Sequence, residues 1–257
     1  DKNSGAVLAE GNAGEIMKPG ETYREVVLET PKLDPGADLR GVRFERANLL
    51  SVEMREADLR GATFYEVEVL GDLTEANLEG AILGPCELQG TFAHIRAAAV
   101  PFSQLRAKLA DFRGAQLRGA AFDRASFSNC DFRGADLTGA DLRTSTAEGI
   151  FDLTGATIDG ARWNWAVHSF IGEVLAHQAT DDATRAWMFW IARSTPAEHC
   201  ADLWTPGKSP YGDEVLRWGL SQIGDLIQLG DPIPPEALDI LIDWVPRPDL
   251  KELRHAR

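Results

Sequence analysis

The chain has 257 residues, 44% of them apolar, which suits one large domain or two modest ones with a real core and excludes a disordered chain. No apolar stretch approaches the roughly 20 residues of a membrane span, and no basic segment followed by an apolar run opens the sequence. A formal net charge of −14 argues against bare nucleic acid as the main partner, because phosphate recognition depends on clustered Lys and Arg.

Cys86, Cys130 and Cys200 are too few and too scattered for a disulfide framework, and no pair has zinc-knuckle spacing. A reducing cytoplasm is the expected compartment, with no cofactor and no metal. Asp1 in place of Met suggests a trimmed or renumbered start.

In chain order, residues 1–36 show no repeat. Their Gly-rich start leads into Tyr23-Arg24-Glu25-Val26-Val27-Leu28-Glu29, which reads as a strand. The segment is expected to cap the N-terminal end of the repeat region. From residue 37 a five-residue period sets in: Ala37-Asp38-Leu39-Arg40-Gly41, Ala57-Asp58-Leu59-Arg60-Gly61 and Ala76-Asn77-Leu78-Glu79-Gly80 are its clearest copies. Apolar centres run Leu39, Phe44, Leu49, Met54, Leu59, Phe64 and Val69, then with a slipped phase Leu78, Leu83 and Leu88. A third run takes in Phe112 to Leu142, and a fourth holds Leu153, Ile158 and Trp163.

A period of five fits neither a straight strand nor an α-helix, so something must turn the chain every five residues. A small residue two positions before each centre shares its side in strand-like alternation, and the following Gly or polar residue permits a corner. Four such sides close a square coil, so residues 20 apart should stack at about one strand spacing of ~4.8 Å. This pattern, over about residues 37–165, resembles the pentapeptide-repeat family. The resemblance implies a mainly β solenoid, a right-handed quadrilateral parallel β-helix. In that frame Cys86 and Cys130 take the small inward position and read as buried core residues.

Two interruptions stand out. Phe92 to Lys108 shows no clear repeat and contains Pro101, which predicts a projecting loop or distorted coil there. A smaller slip falls at Thr144 to Ile150. After Trp165 the period becomes helical, and all seven tryptophans lie at or beyond Trp163. Residues 166–257 are therefore expected to form an all-α C-terminal domain of four or five helices. These lie around Asn164–Gln178, around Ala183–Ile191, after Thr195-Pro196, after Ser209-Pro210 with Leu216, Leu220, Ile223 and Ile227 on one face, and after Pro234-Pro235.

No nucleophile elbow, phosphate loop, dinucleotide fingerprint or zinc spacing appears, so no enzyme activity is expected. Glu173 and His177, four apart, read as a surface pair, and His199-Cys200 diverge on a helix. The expected function is a non-catalytic scaffold or adaptor that docks a protein partner, with no direct nucleic-acid or membrane binding and with homodimer formation left open. The alternative comes from the resemblance: family members that protect DNA gyrase from quinolones look like duplex DNA, which would make this chain a DNA mimic in antibiotic resistance or self-immunity. Residues 37–165 carry 14 basic and 19 acidic side chains. Asp38 should stack with Asp58 and Arg40 with Arg60, so much of that charge compensates itself. The candidate partner-binding residues are Glu53, Glu56, Glu66, Glu68, Asp72, Glu75 and Glu79 in the acidic segment, and Phe92, His94 and Arg96 in the interrupted one.

Overall fold

The structure is a computed structural model that describes residues 7–8, 17–29, 33–165, 167–180, 185, 218–219, 221–223, 225–228 and 231–233. It divides into two compact units, Asp1–Ala161 and Arg162–Arg257.

The first unit is a parallel β-solenoid with four faces. Leu39, Phe44, Leu49 and Met54 are the inward centres of one coil, one per face, and all four are buried. Each face takes the name of its centre. On the Leu39 face, bridges join Asp38, Asp58, Asn77, Arg96, Gln116, Asp136 and Thr157, marking seven successive coils. The Phe44 face stacks Tyr23, Phe44, Phe64, Leu83 and Phe102. The Leu49 face runs on into the Met54 face as an eight-stranded parallel sheet from Val7–Leu8 to Thr146–Asp152. The expected stacking is present: Phe112 lies on Phe132 with ring centroids 4.9 Å apart and planes 13° from parallel. Cys86 and Cys130 are buried at the small inward position.

The register is 20 residues where corners are regular; the coil of residues 22–29, which reaches Leu39 through Pro35-Gly36, pairs 21 residues on, and the later departures all fall at the corner between the Leu49 and Met54 faces. At Ser51 and Asn129 that corner takes a residue in the left-handed region, φ 55° and 53°. In the coil of Val67–Asp72 it is one residue short, so Gly71 lies flat on the coil below. A Cβ there would stand 2.2 Å from the Val52 carbonyl oxygen, which only glycine avoids. Gly90 repeats the shortening one coil on. The short corner at Gly71 is the slipped phase of Leu78, Leu83 and Leu88, and the one at Gly90 shifts the phase again from Phe92 onward. At Gly149–Ile150 the corner is instead one residue long, and Asn129 Oδ1 accepts the Ile150 N–H at 3.2 Å.

Two expectations need correction. Phe92 to Lys108 is neither a loop nor a distorted coil. Phe92, Ala97, Phe102 and Ala107 are buried centres five apart, with Ile95, Val100 and Leu105 buried two positions before the later three. The repeat was hidden because large and small residues trade places: Ile95 with Ala97, and Leu105 with Ala107, fill the volume that Ala with Leu fills elsewhere. Pro101 costs the coil a single bond. Thr63, Ile82 and Ala121 donate to Val42, Ala62 and Val100 along this row, and Pro101 has no N–H to do the same. The second correction concerns the start, expected to show no repeat: Thr22–Arg24 and Val27–Glu29 pair in parallel with Arg43–Glu45 and Asn48–Leu50, so residues 22–29 belong to a further coil of the ladder.

In the second unit, helix α1 spans His168–Gln178 and buries Phe170, Ile171, Val174 and Leu175. It begins after an extended Val167 that supplies no side-chain cap, four residues later than Asn164. The Trp163 ring packs on Phe170 at 5.5 Å. Ile223 and Ile227 are buried, as their helical spacing predicts. The helices expected around Ala183–Ile191, after Thr195 and after Pro235, with Leu216, Leu220 and the His199-Cys200 pair, lie outside the described residues apart from Arg185. No helix among the described residues is long and apolar enough to cross a membrane.

Candidate interaction surface

The outward residue before each centre sets the chemistry of the surface. Where it is Asp, and at Asn77, its Oδ1 accepts the backbone N–H two residues on, as in Asp72 to Thr74 at 2.8 Å, Asn77 to Glu79 at 3.0 Å and Asp136 to Thr138 at 2.9 Å. This short loop of hydrogen bonds stabilises the corner and explains why the position prefers a short polar side chain. Where Arg follows at the second position, its guanidinium closes on the same carboxylate: Arg40 on Asp38 at 2.7 Å, Arg60 on Asp58 at 2.6 Å, Arg113 on Asp111 at 2.6 Å and Arg133 on Asp131 at 2.6 Å. Weaker contacts of 3.8 to 4.0 Å carry the pairing between coils, from Arg113 to Asp131 and from Arg133 to Asp152. The hydrogen bonds from Arg40 hold the Asp38 carboxyl down at about 2. Asp58 is lowered by Arg60 in the same way. At Asp111 burial pushes upward and the Arg113 hydrogen bonds outweigh it.

The seven candidate acids do not form one patch. Glu53 faces Asp72 across adjacent coils of the Met54 face, and Glu56 and Glu75 follow at the next corner, each with a left-handed backbone, φ 59° and 62°. These four share one edge. Glu79 belongs to the Leu39 face, beside Arg60. Glu66 sits at the corner after the Phe44 face and Glu68 on the Leu49 face, away from that edge. Arg55 reaches Asp72 at 3.8 Å. Among the described residues Glu56, Glu66, Glu68 and Glu75 form no ion pair.

Phe92, His94 and Arg96 also separate. Phe92 is buried and stacks on Phe112 at 5.4 Å, so it offers no surface. His94 is exposed at the corner that carries Glu56 and Glu75, its imidazole over Gly114. Arg96 is exposed on the Leu39 face between Asn77 and Gln116. Glu173, read as half of a surface pair, is buried while His177 is half-buried. What sequence reasoning missed is an exposed apolar group on the Phe44 face, Tyr65 and Ile82; both sit at outward positions of recognised repeats, where a count of charges passes over them.

Residues 36–65 and 110–146 match the model of pentapeptide repeats, in eight copies. Over these two stretches the chain is built of pentapeptide repeats. Solved pentapeptide-repeat structures resemble it at low identity. Full-length QnrB1, a plasmid-mediated fluoroquinolone resistance protein, is 19% identical over 56% of this chain and 93% of its own, with a TM-score of 0.35. HetL of the cyanobacterium Nostoc sp. strain PCC 7120, involved in heterocyst differentiation regulation, is 24% identical over 58% of this chain and 84% of its own, with a TM-score of 0.24. A thylakoid-lumen pentapeptide-repeat protein of Arabidopsis thaliana is 19% identical over 52% of this chain and 73% of its own, with a TM-score of 0.15. No curated protein matches the chain in sequence.

Proposed function

We propose that this protein is a non-catalytic scaffold whose solenoid faces dock a protein partner. The observation that carries the reading is the unbroken ladder of seven coils. It fixes outward side chains in rows about 4.8 Å apart, so that a surface several coils long is ordered before any partner arrives and little entropy is lost on docking. The helical domain proposed for residues 166–257 would supply a second contact surface. The test is affinity capture from the source cell with quantitative mass spectrometry. A saturable stoichiometric protein partner is expected; a protein that stays a structural monomer and recovers no stable partner overturns the proposal.

A second reading, mimicry of DNA toward gyrase, rests on the edge formed by Glu53, Glu56, Asp72 and Glu75. That edge is two coils deep before His94 and Gly114 take over its row, and the Asp-Arg ladders neutralise the coils beyond. A mimic requires an acidic face continuing over several coils. Supercoiling assays with quinolone separate the readings: protection by micromolar protein supports mimicry, and no effect removes it.

A further inference from the structure

The Phe44 face carries the one stretch of solenoid surface among the described residues that is both apolar and free of charge for three coils. Tyr65 is 47% exposed and Ile82 55% exposed. Pro101 and Ala121 continue the Ile82 row in the next two coils, both exposed. Charged rows bound the group at Arg43 and Glu45 on one side and at Asp123 and Asp141 on the other. Gly84 supports this arrangement. Its backbone is not left-handed, so nothing in the chain path calls for glycine. A Cβ there would meet the Tyr65 ring at 3.1 Å, so the missing side chain leaves room for that ring to lie along the face. A flat parallel-sheet face with exposed apolar side chains and a polar rim is the form that protein contact surfaces take.

The rim indicates what would cover it. From Gly61 to Thr91 every charged residue is acidic: Glu66, Glu68, Asp72, Glu75, Glu79 and Glu87. Some of these charges are met internally, Asp72 by Arg55 and Glu87 by Arg106. Glu66, at the corner next to Tyr65, is not. The row it belongs to runs Glu25, Arg46, Glu66, and Arg46 turns back to Glu25 at 2.6 Å. An apolar anchor beside a carboxylate left without a cation, Glu66, complements a ligand that presents the opposite sign beside its own apolar group.

We infer that the Tyr65–Ile82–Pro101 surface binds a protein segment carrying an aromatic or branched aliphatic side chain flanked by Lys or Arg. This rests on the scaffold reading and specifies the face and the chemistry of the partner. The experiment is display selection of random peptides against the full chain, followed by fluorescence polarisation with a labelled copy of the enriched peptide. Enriched peptides are expected to share an apolar residue next to Lys or Arg. Ile82→Lys and Tyr65→Ala should each weaken binding about tenfold or more, as loss of a central anchor does. Glu66→Gln should weaken it a few-fold and flatten its salt dependence. Leu109→Lys, which changes an equally exposed apolar residue at another corner, should leave binding within about twofold. Circular dichroism melts establish that each variant is folded. Equal binding by the wild type and Ile82→Lys, or an equal loss with Leu109→Lys, overturns the assignment of the face while leaving the scaffold reading to the capture experiment. Failure to enrich any peptide of the stated chemistry overturns it as well.

Discussion

At the outward corners one aspartate does two things. Its Oδ1 accepts a backbone N–H two residues on, and its two oxygens take the guanidinium of the Arg at the same position, as Asp38 does with Arg40. The first bond shapes the corner; the second removes a negative charge from the surface. The recurrence of Asp was legible in the sequence, but its bonding was not, because an outward polar position looks alike whether its carboxylate is free or engaged. The pKa direction makes this testable. Asp38 lies at about 2 in the folded chain, and Asp58 and Asp136 are lowered as well, against about 3.9 when unfolded. A depressed folded value contributes stability that is present above the unfolded value and lost as pH falls through the folded one. The urea midpoint followed by circular dichroism should therefore drop between about pH 4 and pH 2. In Asp38→Asn/Asp58→Asn, which keeps the backbone acceptor without the titration, the drop should be shallower. An unchanged slope would show that these carboxylates do not contribute.

For the coil as an element, inward volume matters more than which of the two inward positions holds it. Leucines and phenylalanines at centres five apart declared most of the solenoid in sequence. The coil from Phe92 to Lys108 did not declare itself, because Ile95 and Leu105 carry the bulk two positions early while Ala97 and Ala107 stand at centres. Pro101 reinforced the wrong reading, although a parallel ladder with one missing donor loses only about 0.5–1.5 kcal/mol. The N-terminal coil escaped for a related reason: a corner at Pro35-Gly36 lengthens its step to the next Leu39-type centre and breaks the count. The volume argument has a sharp consequence for residues 95 and 97. Ile95→Ala should cost about 2–5 kcal/mol through its cavity, and Ala97→Leu about 1–3 kcal/mol through overpacking. The double variant Ile95→Ala/Ala97→Leu restores the arrangement of neighbouring coils and should cost clearly less than the sum, a non-additivity measured by urea unfolding of all four proteins. Additive costs would mean that the two positions do not share one space.

At the scale of the whole molecule, charge and tryptophan are distributed unevenly between the two units, and each distribution can be used. The acidic segment from Glu53 to Glu79 was visible in the sequence, yet only the coil register shows that its members face different directions and that Glu66 ends beside exposed Tyr65. Interaction surfaces of this kind are hard to read from a sequence, because outward residues on one face come from positions about 20 apart. In the second unit the unforeseen feature is Asp231, whose buried carboxylate accepts from Arg162 at 2.7 Å, from the Trp165 indole at 3.4 Å and from the Gln228 backbone N–H at 3.0 Å. It joins segments 66 to 69 residues apart. Nothing local in the sequence marks such a pairing. With its side chain 1% exposed, removing the charge leaves Arg162 facing a neutral amide in a poorly hydrated site, which should cost about 3 kcal/mol. All seven tryptophans fall within Arg162–Arg257, so indole emission reports on that unit alone. Asp231→Asn should therefore lower the urea midpoint seen by tryptophan fluorescence. A midpoint unmoved by Asp231→Asn would show that the buried pair contributes no net stability to the unit.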